Sequence, residues 1–237
     1  MNSMLQKPAA IFVSSLLIIG SVNVQAIVGY VNVPFGSGST LFANPLQTTS
    51  NTLTNLFAGG VPNGTTVSLW NPTTLSYDTT STYNIFLGGW SLNLTLNPGT
   101  GAKLTTSGTF TNTFVGEVLN HAGLPPTLDE LNNGFLPAPL YAGPNGLFLL
   151  GDKAPMGATG NDIFLNIFGR APIAGEQVIK LSSTSTYLGG GTWDLLPTLS
   201  VGEAAFFNIG PVPEPSSLAL FILGFAMLRS LGRRARG

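Results

Sequence analysis

Apolar and polar positions alternate along several stretches of the chain. Val28-Gly29-Tyr30-Val31-Asn32-Val33, Thr66-Val67-Ser68-Leu69-Trp70 and Ser91-Leu92-Asn93-Leu94-Thr95-Leu96 each follow a period of two, with β-branched or aromatic residues on one side. That pattern predicts half-buried strands. Turn chemistry punctuates it at Asn63-Gly64, Asn97-Pro98-Gly99, Ser107-Gly108, Asn133-Gly134 and Asn145-Gly146, where Gly and Asn supply the backbone angles that tight turns require. Helical signals are few. Residues 51–57 predict one short amphipathic turn with Asn51 as its cap and Leu53, Leu56 and Phe57 on one face. Thr127-Leu128-Asp129-Glu130 has capping-box spacing, and Asn133-Gly134 stops the helix it would start. The expected fold is all-β, mainly antiparallel, with short helices.

An internal repeat organises this body. Gly88-Gly89-Trp90-Ser91-Leu92 and Thr95-Leu96-Asn97-Pro98-Gly99 match Gly191-Thr192-Trp193-Asp194-Leu195 and Thr198-Leu199-Ser200-Val201-Gly202 at a constant offset of 103. Upstream, Asn55-Leu56-Phe57, Gly64 and Val67 match Asn166-Ile167-Phe168, Gly175 and Val178 at an offset of 111, and Leu41-Phe42 corresponds to Leu147-Phe148. The expected organisation is a β unit at 27–117, a Pro-rich connector at 118–134 and a second β unit at 135–210. Together they would form a sandwich-like ectodomain, as one pseudo-symmetric sandwich or two similar small ones.

The two ends differ from the body. Residues 1–8 carry one cation, Lys7, and residues 9–19 are mostly apolar; Gly20 and Val24-Gln25-Ala26 follow. This is the layout of a secretory signal, with cleavage expected after Ala26 and a mature start at Ile27. Eleven residues as a helix reach only about 16 Å, half of a bilayer core, which disfavours a permanent anchor. At the other end stand Pro211, Pro213-Glu214-Pro215 and an apolar run from 218 to 228. Arg229, Arg233, Arg234 and Arg236 then close the chain. Extended from 212 to 231, the segment is long enough to span roughly 30 Å as a transmembrane helix. Its arginines would stay cytoplasmic and leave residues 27–211 outside.

This order of Pro-Glu-Pro, apolar helix and terminal Arg cluster resembles the sorting signal of PEP-CTERM proteins, and it occupies residues 211–237. The resemblance implies recognition at the inner membrane of a Gram-negative cell by an exosortase-type membrane protease. Pro213, Glu214 and Pro215 fill the motif, so the tail would be removed near them. It further implies release to the cell surface or extracellular matrix, often alongside exopolysaccharide production and glycosylation. The implied partners are a signal peptidase, the exosortase-type protease, the inner membrane in transit and an exopolysaccharide. The body, with its Gly-Tyr-Val-Asn-Val start and repeated Gly-x-Trp, also looks like uncharacterised exported proteins that share this tail.

Charge sharpens the contrast between body and ends. Residues 27–211 hold four cations, Lys103, Lys153, Arg170 and Lys180, against nine acids, a net charge of −5. A mildly acidic body offers no footprint for nucleic acid. The absence of cysteine excludes disulfides, Cys-ligated zinc and a thiol nucleophile. His121 is the one histidine, so a site built on several histidines cannot form within one chain. In its Asn120-His121-Ala122-Gly123 context it reads as an exposed loop residue. Asp129 and Glu130 are adjacent and would point about 100° apart on a helix, a poor acid/base pair. The stretch 97–105 only superficially resembles a phosphate loop: it lacks the Gly before Lys103, and its repeat counterpart lacks the Lys. No enzyme, cofactor or metal is expected.

Two features leave room for binding. Trp70, Trp90 and Trp193, with Tyr77, Tyr83 and Tyr187, could form a platform for sugar rings, although the equivalence of Trp90 and Trp193 in the repeat equally fits core anchors. Ser and Thr supply 27 of residues 36–113, which suits O-glycans or a hydrated matrix, while strand propensity accounts for many of the threonines. The expected role is that of an exported structural protein of the cell surface or matrix, with a carbohydrate-binding module as the alternative.

Overall fold

A computed structural model of the chain describes residues 27–57, 59–141 and 143–210. The expected signal peptide, its cleavage residue Ala26 and the whole 211–237 tail, with Pro213-Glu214-Pro215 and the four arginines, lie outside the described residues. The first part runs through β1 (Val28–Phe35), β2 (Gly38–Ala43), α1 (Leu53–Leu56), β3 (Thr66–Asn71), β4 (Ser76–Asn84), β5 (Gly89–Trp90), β6 (Gly101–Thr106) and β7 (Phe110–Glu117). After α2 (Leu128–Asn133) come β8 (Gly146–Gly151), β9 (Ala158–Thr159), α3 (Asn161–Phe168) and β10 (Gln177–Ile179). The chain then continues through β11 (Thr184–Gly189), β12 (Thr192–Trp193), β13 (Thr198–Leu199) and β14 (Ala204–Ile209). The fold is all-β and mainly antiparallel, with short helices, and its sheets stack as a sandwich.

Two five-stranded sheets form the centre, ordered β2-β6-β3-β4-β5 and β8-β14-β10-β11-β12. Matching β2 to β8, β6 to β14, β3 to β10, β4 to β11 and β5 to β12 makes the two orders identical. The short pair β9–β13 joins Thr198 to Thr159, and a single bridge between Thr52 and Thr95 stands in the corresponding place of the first half. The ribbon β1–β7, paired from Val28↔Glu117 to Phe35↔Phe110, has no equivalent around the second sheet among the described residues.

Each sheet buries apolar side chains on both faces near the junction with the other. In β2, Leu41 and Ala43 point to a layer between the sheets, while Phe42 points away into the first core. In β14, Ala204 and Phe206 enter the same middle layer, while Ala205, Phe207 and Ile209 enter the second core. The middle layer is thin because its facing residues are small. A Cβ on Gly101 would lie 2.7 Å from the Leu149 backbone, and one on Gly151 would lie 2.4 Å from the Ala43 Cβ. The outer cores are closed differently. Helix α1 contributes only Leu53 and Leu56, so the ribbon covers the first core with Val33, Phe35 and Phe114. Helix α3 is twice as long and brings Ile163, Phe164 and Phe168 onto the second.

Two local expectations are corrected. Residues 91–96 do not form a strand. The Leu92 amide and carbonyl are both taken by the Ser81 hydroxyl (3.0 and 2.6 Å), and Leu94 and Leu96 bond instead to Leu53 and Asn51. The alternation is real, but it serves a segment crossing under the sheet, where Leu96 is fully buried. Asn51 is not the cap of α1. It sits at φ +48°, and its side-chain oxygen accepts from the Thr48 amide at 2.8 Å. The orphan Thr54 amide of the helix goes to Asn93 at 3.0 Å, a partner supplied from 39 residues away. The second helix forms as its sequence predicts: Thr127 and Glu130 make a reciprocal capping box, and the helix ends at Gly134.

Candidate functional site

The connector is tied down at its start and at Glu130, while most of it stays exposed. Asn120 folds it into a turn: its side-chain oxygen accepts the amides of Ala122 and Leu124, both at 3.0 Å, and its amide group donates to both oxygens of Glu130. Glu130 is itself buried, and its carboxyl is held below the usual glutamate range. The Thr127 amide is the largest cause, opposed by burial and reinforced by the Asn120 and Thr127 side chains. Asp129 accepts from Asn133 at 2.7 Å, so the two adjacent acids serve the helix and the connector.

This turn carries His121 inward. The expectation of an exposed loop residue is wrong: His121 is 3% exposed. Its Nδ1 lies 2.9 Å from Oδ1 of Asp152, which follows the last residue of β8 and is buried as well. The same Oδ1 accepts the Ala154 amide at 2.9 Å, and Oδ2 accepts the Asn166 amide group at 3.1 Å. A carboxylate can only accept, so Nδ1 donates, and in the neutral ring Nε2 keeps its lone pair. The Phe135 ring meets the imidazole edge-on at 5.8 Å. The sequence signal for this burial was slight, because Asp152 lies 31 residues from its partner.

His121 forms part of the wall of an open cleft of about 540 Å³, between the end of the connector, β9, the start of α3 and the residues after β13. Thr159, Asp162, Asn166, Thr198 and Ser200 are its other polar residues, and Phe135 and Met156 supply apolar wall. A second hollow of about 360 Å³ lies where the two halves meet, between Val33, Phe42, Lys180, Ser182 and Gly202. The Lys180–Glu203 ion pair spans its edge at 2.6 Å. No group of three or more His, Asp or Glu residues converges as a metal site among the described residues.

The three tryptophans are not brought together. Trp70 belongs to the middle layer, edge-on to Phe206 at 4.8 Å and donating from Nε1 to the Leu147 carbonyl at 2.9 Å. Trp90 packs on the first core against Tyr83 and Phe57. Trp193 packs on the second against Tyr187 and Phe164. Tyr83↔Trp90 and Tyr187↔Trp193 are both cross-strand pairs, with ring centroids 5.4 and 5.2 Å apart. The stretch 97–105 is a turn, closed by the Thr100 amide on the Asn97 carbonyl, that runs straight into strand β6. Its counterpart, closed by Glu203 on Ser200, runs into β14.

No helix among the described residues is long and apolar enough to cross a membrane. Comparison of the chain with known protein families, with curated proteins and with solved structures finds no match in any of the three.

Proposed function

We propose that this chain is an exported, non-enzymatic protein of the cell surface or extracellular matrix, delivered by a signal peptide and processed at the inner membrane by an exosortase-type protease. One observation carries the reading: Pro213-Glu214-Pro215, an apolar run and the cluster Arg229, Arg233, Arg234 and Arg236 follow one another at the end of an acidic body. Desolvating that cluster would cost several kcal/mol, so the arginines hold the end of the chain inside while the body is exported.

Intact-mass analysis of the surface and released fractions tests this, in cells with and without the exosortase-type protease. The expected product begins at Ile27 and ends near residues 213–215, with any added sugar visible as extra mass. Accumulation of an unprocessed chain of residues 1–237 in the cytosol overturns the proposal.

A second reading, a module that binds the exopolysaccharide of the matrix, draws support from the His121 cleft rather than from the tryptophans. The rings of Trp70, Trp90 and Trp193 are engaged in three separate clusters, whereas the cleft presents polar groups around an open volume.

A further inference from the structure

We propose that the cleft beside His121 binds a neutral polyhydroxylated ligand, one or two sugar units in size. His121 Nε2, the Asp162 carboxylate and the Asn166 side-chain carbonyl act as acceptors for its hydroxyl groups. The inference rests on the carbohydrate-binding reading and gives it a location.

The groups in the cleft select for this chemistry. His121 is fixed through Nδ1 by a buried carboxylate that is itself held by Asn166 and the Ala154 amide. The ring is therefore oriented before any ligand arrives, and binding costs little further ordering. Asn166 spends one N–H on Asp152, which leaves its carbonyl as an acceptor. Asp162, in the first turn of α3, is exposed and offers two more acceptor oxygens. Acceptors therefore recur along the wall, beside the Thr159 and Thr198 hydroxyls, and no Lys or Arg stands in it among the described residues. A phosphate or carboxylate would meet the Asp162 carboxylate without a lysine or arginine to offset it there. A ligand with several O–H donors satisfies the wall, and the Ser200 hydroxyl can answer as donor or acceptor. Phe135 and Met156 add the apolar surface that the C–H face of a sugar ring needs. A volume of about 540 Å³ falls within the range of small-molecule sites.

The processed chain, purified without a polyhistidine tag, holds a single histidine, so the His121 ring proton gives one NMR signal for the cleft. Glucose, galactose, mannose and cellobiose serve as probes, with inorganic phosphate and ethanolamine beside them and a glycan array for the whole protein. At least one sugar should shift the His121 signal saturably, and phosphate and ethanolamine should not. Asp162→Asn and Ser200→Ala, both at exposed positions, should each weaken that sugar by about tenfold with the circular dichroism unchanged. His121→Gln, which removes the NMR reporter and is therefore read on the glycan array, should lose the retained sugar with the circular dichroism unchanged.

A shift produced by phosphate or ethanolamine, or by none of the sugars, overturns the proposal. Sugar retained on the array with equal strength by the wild type and by Asp162→Asn places the contact elsewhere: the cleft assignment falls and the carbohydrate reading stands. No retention at all removes both.

Discussion

The amide of Ala43 donates to the carbonyl of Gly202 at 2.9 Å, and the amide of Gly151 donates to the carbonyl of Gly99 at 3.0 Å. Ala43 and Gly151 end the matching strands β2 and β8, and Gly202 and Gly99 stand 103 residues apart in the matching turns. Bridges Phe42↔Glu203 and Thr100↔Leu150 repeat the relation one residue further along. Each half therefore clips the edge strand of the other with its own turn, as in the self-complementary contact of a two-fold dimer. The arrangement also pairs backbone on two strand edges that would otherwise be open to association.

Wedging this junction should cost stability. A Cβ on Gly151 would lie 2.4 Å from the Ala43 Cβ and 2.7 Å from the Glu203 carbonyl, with backbone on one side and little room to yield. Gly151→Val should destabilise by about 1–3 kcal/mol, read by urea denaturation. Gly36→Ala, with nothing within 4 Å of the added carbon, should stay within about 0.5 kcal/mol of wild type.

The equivalent tryptophans should respond differently to truncation. Trp193 Nε1 donates to Asn161 at 2.9 Å, whereas the buried Trp90 Nε1 has no hydrogen-bond partner among the described residues. Replacing either by Phe removes similar ring area, but Trp193→Phe also breaks a hydrogen bond. Trp193→Phe should cost about 1 kcal/mol more than Trp90→Phe in chemical denaturation. Equal losses would mean that the hydrogen bond contributes nothing.

How far the fold could be read from the chain depended on how many faces of each strand are buried. Strands β1 and β3 overlap the alternating stretches at 28–33 and 66–70, where Asn32 and Ser68 interrupt the apolar positions, although Val28 and Tyr30 are exposed and Ser68 is buried. Strands β2, β8 and β14 lie in the middle of the sandwich and are apolar on both faces. Leu147-Phe148-Leu149-Leu150 and Ala204-Ala205-Phe206-Phe207 therefore show no period of two. Among helices, only the reciprocal contact of Thr127 and Glu130 is local enough to predict. The site was less legible still. His121 finds Asp152, 31 residues away, only in the folded chain; Asp162 belongs to no motif, and Ser200 lies in a repeat block whose pattern says nothing of a cleft.

Acid should loosen the connector through Glu130. Its folded carboxyl titrates below the ordinary glutamate value of 4.5, so ionised Glu130 stabilises the fold. That contribution is complete above the unfolded value and disappears as pH falls through the lower folded one. Hydrogen exchange of the amides between Asn120 and Gly134 should accelerate, relative to the central strands, on going from pH 5 to about 3 once intrinsic rates are corrected for. Glu130→Gln should reduce that local dependence, with Asp129 left in the same segment and Asp152 beside His121. Asp78 and Asp194, lowered chiefly by the Ser76 side chain and the Thr186 amide respectively, would still contribute elsewhere in the fold.

Two ion pairs of similar length should differ widely in effect because of what surrounds them. Arg170 and Glu176 meet through two hydrogen bonds at 2.8 and 2.6 Å, and their side chains are 10% and 1% exposed. Glu176 also accepts the Ile173 amide at 2.7 Å and the Gly210 amide at 3.2 Å, tying the residue after β14 to the turn before β10. Lys180 and Glu203 stand 2.6 Å apart but are 21% and 29% exposed, so water screens them. Glu176→Ala leaves a guanidinium buried without its partner and two amides unsatisfied, and should cost about 3–5 kcal/mol. Lys180→Ala should cost about 0–1 kcal/mol, with most of that small loss absent at high salt. Urea denaturation of both variants at low and high ionic strength separates the cases. A Glu176→Ala loss as small as that of Lys180→Ala would show that the buried pair does not hold the end of β14 in place.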